Sequence, residues 1–275
     1  MNKDDLLVKD VGTHFAFGKN WRNYAATIDE PRILSAMDKM RALLGRDSLE
    51  GLSFVDIGCG SGIHSLAALR LGARKLAAYD FDPISVETTR ALLSANAPAG
   101  NWSCEVCSVF DLPASLARSF DVVYSWGVLH HTGDMWTAIT RAAELTAPGA
   151  IFAVALYYKT PLCGLWKIEK RVYSKLPAPL QFPILAMYSG LDLLRLAVRG
   201  HNPISHVKNY QQKRGMNFWH DEHDWLGGYP YESASRQEVI DFMAKLGFSF
   251  VQAFRTESSL GITGTGCAEY LFKRN

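Results

Sequence analysis

Phe54-Val55-Asp56-Ile57-Gly58-Cys59-Gly60-Ser61-Gly62-Ile63-His64-Ser65-Leu66 decides the fold. The stretch opens as a short apolar strand, passes through three glycines at alternate positions and runs into an Ala/Leu-rich helix. Glycine tolerates positive φ and lets a ligand approach the backbone closely. The helix that follows presents unpaired N–H groups at its start. A strand, a glycine turn and a helix in that order form a nucleotide pocket in a doubly wound α/β sheet. Asp56 lies at the end of the strand, where its carboxylate faces the ligand, and a second acid, Asp80, ends the next apolar run, Lys75–Tyr79. A dinucleotide fingerprint needs a third glycine where Ile63 stands, and a phosphate loop needs a Gly-Lys-Ser/Thr that is absent. The ligand is therefore read as a nucleoside without phosphates.

From Leu52 onward strand and helix patterns alternate, as in a parallel sheet. Strands are predicted at 52–57, 75–80, 103–108, 121–126 and 150–157, and helices near 62–71, 83–96, 114–118 and 134–146. Pro83 suits a helix start, and Pro148-Gly149 a turn into the fifth strand.

At these residues the chain resembles the class I S-adenosylmethionine-dependent methyltransferases. VDIGCGSG (55–62) is similar to their first motif, and AAYDFDP (77–83) to their second. Ser125-Trp126-Gly127-Val128-Leu129-His130-His131 resembles the stretch after their fourth strand. The resemblance covers residues 52–156 well and the C-terminal part more loosely. It implies a Rossmann-like, doubly wound, mostly parallel seven-stranded sheet with an antiparallel last strand, and an enzyme of the methyl-transferring class. It also implies S-adenosylmethionine as cofactor, held by Asp56, Gly58, Cys59, Gly60 and Gly62 at the glycine turn. Asp80 would take the ribose hydroxyls, Phe81 would stack on the adenine, and Ser108 and Val109 would meet the adenine edge, with Asp111 a weaker candidate. Ser125 and Trp126 complete the expected pocket wall.

The flanking segments divide the chain further. Residues 1–50 form an extension in which 15–24 is aromatic-rich and ends in a helix, and a second helix from Pro31 carries Ile33, Leu34, Met37, Met40 and Leu44 at helical spacing. Trp21 and Tyr24 are read either as packing on the sheet edge or as part of a lid, Trp21 over the cofactor and Tyr24 over the acceptor. Residues 51–157 are the cofactor-binding core. Residues 158–232 are too long for a loop and are read as a mainly helical cap for the acceptor. Its middle, 180–198, is strongly apolar, but Pro183, Asp192 and Arg195 interrupt a run already near the ~20 residues a membrane span needs. A core-facing cap helix is the primary reading and a lipid-touching surface the other. Residues 233–275 complete the sheet with a helix at 235–246 and strands at 247–254 and 268–274, joined by a glycine-rich loop, 261–266, over the pocket.

Methyl transfer is an in-line displacement, served mainly by alignment at about 3–3.5 Å. A base is required only for an acceptor that rests protonated. His130 and His131 stand where one is wanted, with His131 preferred. Residues 217–232 interleave aromatics, His and carboxylates in a stretch read as a Gly/Pro-rich loop, so His220, His223, Trp225, Tyr229 and Tyr231 are candidate acceptor contacts. A metal at His220-x-x-His223 lacks the i, i+4 register of zinc proteases and is not invoked; a cage of aromatics and carboxylates around a cationic amine is the other option.

Bulk properties limit the partners. The 275 residues carry 48% hydrophobic and 20% charged side chains, an ordinary globular composition, and a formal net charge of +2. That charge gives no case for nucleic acid, and the Asn/Asp-Pro-Pro-aromatic motif of base-nitrogen methylation is absent after the fourth strand. The five cysteines, including Cys104-x-x-Cys107, read as reduced structural thiols. The polar, acidic first residues suggest no signal peptide, hence a cytoplasmic protein. The expected partner is a small-molecule acceptor methylated on O or N (C or S being further options), with a homodimer allowed and no stable membrane insertion. A lipid-like or prenyl-quinone acceptor is the alternative substrate, and a non-catalytic cofactor-binding protein the alternative class.

Overall fold

The structure is a computed structural model that describes residues 17–98, 100–214, 218–255 and 266–275. The glycine-rich loop at 261–265, and Phe15 of the extension, lie outside the described residues, as do the side chains of residues 211–214, His220 and Arg255.

Seven strands form one sheet in the order β3-β2-β1-β4-β5-β7-β6. They are β1 (Ser53–Ile57), β2 (Lys75–Asp80), β3 (Trp102–Val106), β4 (Phe120–Trp126), β5 (Thr146–Tyr157), β6 (Phe248–Arg255) and β7 (Cys267–Arg274). β1 to β5 pair in parallel, and β7 runs antiparallel to both β5 and β6, between which it is inserted. The strand order reverses between β1 and β4, so the crevice at their carboxyl ends is the switch point where doubly wound sheets take ligands.

The central strands read as continuous apolar runs because both faces are covered. On one face Phe54, Leu76 and Val122 are fully buried beneath α1 (Phe17–Ala25), α2 (Glu30–Leu44), α3 (Ile63–Arg70) and α4 (Pro83–Asn96). On the other, Val55, Val123, Phe152 and Phe272 pack with α5 (Met135–Glu144) and α10 (Arg236–Lys245). Each such side chain contributes about 1.5–3 kcal/mol by leaving water.

Local chemistry sets the helix ends. Asp29 caps α2 through the Arg32 amide and Gly45 closes it at φ 62. Asp82 caps α4 with Pro83 in its first turn, and Ser235 and Glu238 form a capping box on α10. The inward face of α2 uses Leu43 where the spacing suggested Leu34, which is 48% exposed.

Four helices stand between β5 and α10: α6 (Cys163–Tyr173), α7 (Ala178–Val198), α8 (Pro203–Arg214) and α9 (Phe218–Gly227). The stretch read as a loop at 217–232 is thus helical from Phe218 through Gly227, and only the residues after it are irregular. The core-facing expectation for 180–198 is not met along the outer face of the helix. The fully buried residues of α7 are Ser189 and Asp192; Leu180, Leu191 and Leu194 are exposed, and Leu185, Leu193 and Leu196 are half-buried. Among the described residues no helix is long and apolar enough to cross a membrane.

Candidate active site

The glycine turn bends where its φ values require it. Gly58, Gly60 and Gly62 lie at φ 78, 53 and 82, a region costly for side chains with a Cβ. Gly58 also has no room, since a Cβ there would stand 2.3 Å from Cγ2 of Val128 in the loop after β4. The turn of β1 and the loop of β4 therefore meet across the switch point.

Asp80, at the end of β2, is locked into this turn. It accepts the Gly60 amide at 3.0 Å and the Asp82 amide at 2.9 Å. Burial pushes its pKa up to about 6, against the pull of those two N–H groups. Asp56 is 2% exposed and takes the Ser65 hydroxyl at 2.6 Å. Burial raises it to about 7, with Ser65 opposing and the charge of Asp80 adding.

The remaining cofactor candidates divide by where their side chains go. Phe81 is half-buried just past Asp80, and Val109 is buried in the short turn after β3, which Ser108 caps by accepting the Phe110 amide. Two side chains point elsewhere than expected. The Ser125 hydroxyl is fully buried and donates to Ile57 O, tying β4 to β1. The Cys59 thiol turns into the core toward Cys104 Sγ at 3.9 Å, so Cys59 offers the turn only its backbone. Trp126, 36% exposed, gives its indole N–H to Glu269 at 2.6 Å.

Helix α1 crosses this whole region. Its Gly18 amide donates to Asp82 at 3.0 Å, and its Trp21 ring lies 3.3 Å from where a Gly60 Cβ would be. Its Asn20 amide group donates to Asp224 on α9. Its Phe17 ring sits 5.2 Å from that of His131. Tyr24 instead packs against the first core beside α2, away from the histidines.

Beyond β4 the two histidines are unlike. His130 is fully buried, its ring 3.9 Å from that of Tyr157 and 4.4 Å from that of His131. Burial, with the charge of His131 beside it, drives its pKa well below the ordinary value, so it stays neutral. His131 is half-buried, with Nδ1 2.7 Å from the carbonyl of Pro230. A carbonyl only accepts, so Nδ1 carries the proton and the neutral ring keeps its basic lone pair on Nε2.

Residues 228–232, which include the cis Tyr229–Pro230 bond, form the facing wall. The Glu232 amide donates to His130 O at 2.9 Å, and its carboxylate accepts the Met135 amide at 2.8 Å. A Cβ on Gly228 would stand 3.1 Å from Cε1 of His131. Tyr231 is buried with its hydroxyl on Cys163, and Tyr229 is half-buried. Trp225 meets the Tyr157 ring at 5.7 Å, whereas His223 is taken up by the Tyr173 hydroxyl at 2.8 Å. Burial pushes Asp224 to about 7, with the Asn20 amide opposing.

The strand order, the acid at the tip of β2 and the glycine turn carry one signature together, and the comparisons agree. Residues 54–149 match the model of a methyltransferase domain. A ubiquinone biosynthesis O-methyltransferase of Rhizobium etli is 28% identical over 206 residues, 68% of this chain and 81% of that protein. Residues 54–149 thus form a methyltransferase domain, and the chain is similar to the class I S-adenosylmethionine-dependent methyltransferases. Its fold is that of magnesium protoporphyrin IX methyltransferase from Synechocystis PCC 6803, solved with S-adenosylhomocysteine, at TM-score 0.57 and 17% identity over 99% of this chain and 98% of that one. A [4+2]-cyclase shares the fold at TM-score 0.53 and 13% identity over 86% and 79% of the two chains.

S-adenosylmethionine is the methyltransferase's cofactor. The residues present suit it: a backbone turn open to close approach, and a half-buried acid already accepting two N–H groups at the tip of β2. Among the described residues no group of three or more His, Cys, Asp and Glu is arranged to hold a metal ion.

Sequence reasoning missed Lys170. It is fully buried, donates to Trp225 O and lies 3.8 Å over the Trp225 ring. Burial pulls its pKa down to about 7, Glu169 opposing. Its signal was a lysine on the inward stripe shared with Cys163 and Tyr173. Tyr157, at the end of β5, was missed because it closes a strand pattern without any motif.

Proposed function

We propose that the methyltransferase acts on a hydroxyl oxygen or amine nitrogen of a small acceptor, bound between the loop after β4 and α6–α9, with His131 as general base. The observation that carries this reading is the His131 Nδ1 contact to Pro230 O, which orients the ring and fixes its basic nitrogen. An imidazole oriented by a carbonyl in this way presents Nε2 as the proton acceptor. His130, buried and neutral, supports the ring of its neighbour. When bound, the cofactor supplies an electrophilic methyl group. In this reading Asp80 and Phe81 hold its adenosine and Val109 and Ser108 border the adenine. The backbone of Gly58–Gly62, with Asp56, receives the amino-acid end, and Trp21 covers the turn.

The division of labour follows. Residues 1–50 are an extension that closes over the site, 51–157 the cofactor core, 158–232 the acceptor-side layer, and 233–275 the completion of the sheet. Trp225, Tyr229 and Tyr231 border the acceptor side; His223, engaged by Tyr173, is a support. Relatives named for ubiquinone biosynthesis favour a second reading, O-methylation of a lipid-like acceptor.

The test is His131→Asn, assayed for turnover against a panel of phenols and amines, with calorimetry for cofactor affinity. Loss of about 10²–10⁴ in kcat with affinity kept supports the base. Full turnover removes it. Cofactor binding with no turnover on any acceptor favours the non-catalytic class.

A further inference from the structure

We infer that α6–α8 form a docking surface for an anionic lipid bilayer, which the protein touches without crossing. Leu165, Ile168 and Val172 follow one another at helical spacing along α6, and Met187, Leu191 and Leu194 do so along α7. All six are more than half exposed. The opposite faces are the buried ones: Cys163, Lys170 and Tyr173 on α6, Ser189 and Asp192 on α7. Both helices rest on α9, so both apolar stripes look away from it. This inverts the ordinary arrangement, in which a helix turns its apolar stripe to the core and its polar face to water. Exposed apolar stripes of this kind mark an interaction site.

The charges select the occupant. Residues 159–214 hold ten Lys and Arg, one of them the buried Lys170, against two acids, Glu169 and Asp192, a formal balance of +8 in a chain whose net charge is +2. Asp192 is buried and both Glu169 carboxylate oxygens are shielded from solvent. The exposed charge of the segment is thus basic, including Lys167, Arg171, Lys175 and Lys208. An apolar stripe flanked by Lys and Arg suits the interface of a bilayer with negative headgroups. A second copy fits poorly, because a two-fold dimer presses the same patch against itself and would oppose two basic segments. Embedding is shallow, since no described helix can span.

The experiment is vesicle flotation with purified full-length protein. One vesicle is a roughly two-to-one mixture of phosphatidylcholine and phosphatidylglycerol, the other phosphatidylcholine alone. The variants are Ile168→Ser/Leu191→Ser and Arg171→Gln/Lys175→Gln, with calorimetric binding of S-adenosylhomocysteine as the check on folding. The wild type floats with the anionic vesicles only. The Gln pair lowers partitioning roughly 25-fold, at about fivefold for each basic residue near the surface. The Ser pair lowers it on the order of tenfold. Absence of flotation with either vesicle, or variants that float like the wild type, overturns the inference. So does a dimer by light scattering that the Ser pair disperses while no vesicle is bound.

Discussion

Replacing Gly58 with alanine tests how the cofactor turn and the histidine loop are joined. Gly58 sits at φ 78, so any L side chain there bears left-handed strain of about 1–2 kcal/mol. The new Cβ also meets Val128 at 2.3 Å, 2.5 Å and 2.8 Å, closer than real carbon contacts allow. Overpacking of this kind costs about 1–3 kcal/mol. Gly58→Ala should therefore destabilise the fold by about 2–5 kcal/mol in urea denaturation followed by circular dichroism. The two parts are separable. Val128→Ala removes the two obstructing methyls, keeps Cβ at 2.8 Å and leaves φ untouched, so the double variant should show a favourable coupling of about 1–2 kcal/mol, part of the overpacking cost, and retain the strain. A single variant within about 0.5 kcal/mol of wild type refutes the geometry. A cycle with no coupling means that the cost is backbone strain alone and that the two loops do not press on each other.

Two further outcomes follow from the acids of the turn. Asp80→Ala removes a carboxylate acceptor of the kind worth about 1.5–3 kcal/mol per hydrogen bond, so affinity for S-adenosylmethionine should fall roughly tenfold to a hundredfold by calorimetry. Unchanged affinity would take Asp80 out of the cofactor site. Asp56 has its folded-state pKa raised to about 7, so the folded protein holds a proton there that the unfolded chain has released. Its effect on stability is therefore unfavourable and grows as pH rises from about 4 to about 7. Asp56→Asn keeps an acceptor for Ser65 and should flatten that decline, gaining at most about 4 kcal/mol at pH 8, from ~1.4 kcal/mol per tenfold change in proton affinity. A variant whose stability still falls in parallel with wild type between those pH values would show that Asp56 is not the titrating group.

The core of this molecule was legible because its signals are local. Alternation of period, three glycines in five residues and an acid at the end of each of two strands are each read within a few residues. Even the proline after Asp82 announces its helix. What escaped depends on contacts distant along the chain. Nothing near Ser125 says that its hydroxyl will bond to Ile57, 68 positions earlier, and nothing near Asn20 says that it will meet Asp224. Helix α9 was misread for a different reason. Its carboxylates and histidines obscure any apolar stripe, and the glycines and proline that end it made the whole stretch look irregular. In α7 the apolar composition was read as burial, although composition alone cannot say which side of a helix meets the core.

Helix α1 has a consequence for how ligands come and go. Phe17, Gly18, Asn20 and Trp21 reach His131, Asp82, Asp224 and the glycine turn from four of its first five residues. The two halves of the site therefore share one cover. On the function proposed above, lifting it for the nucleoside would also uncover the histidine, and seating it over one ligand would seat it over the other. Closure would then be an all-or-none event. The proposed base would be shielded from water only while both half-sites are shut, and exchange of the spent cofactor and release of the methylated acceptor would proceed through the same opening.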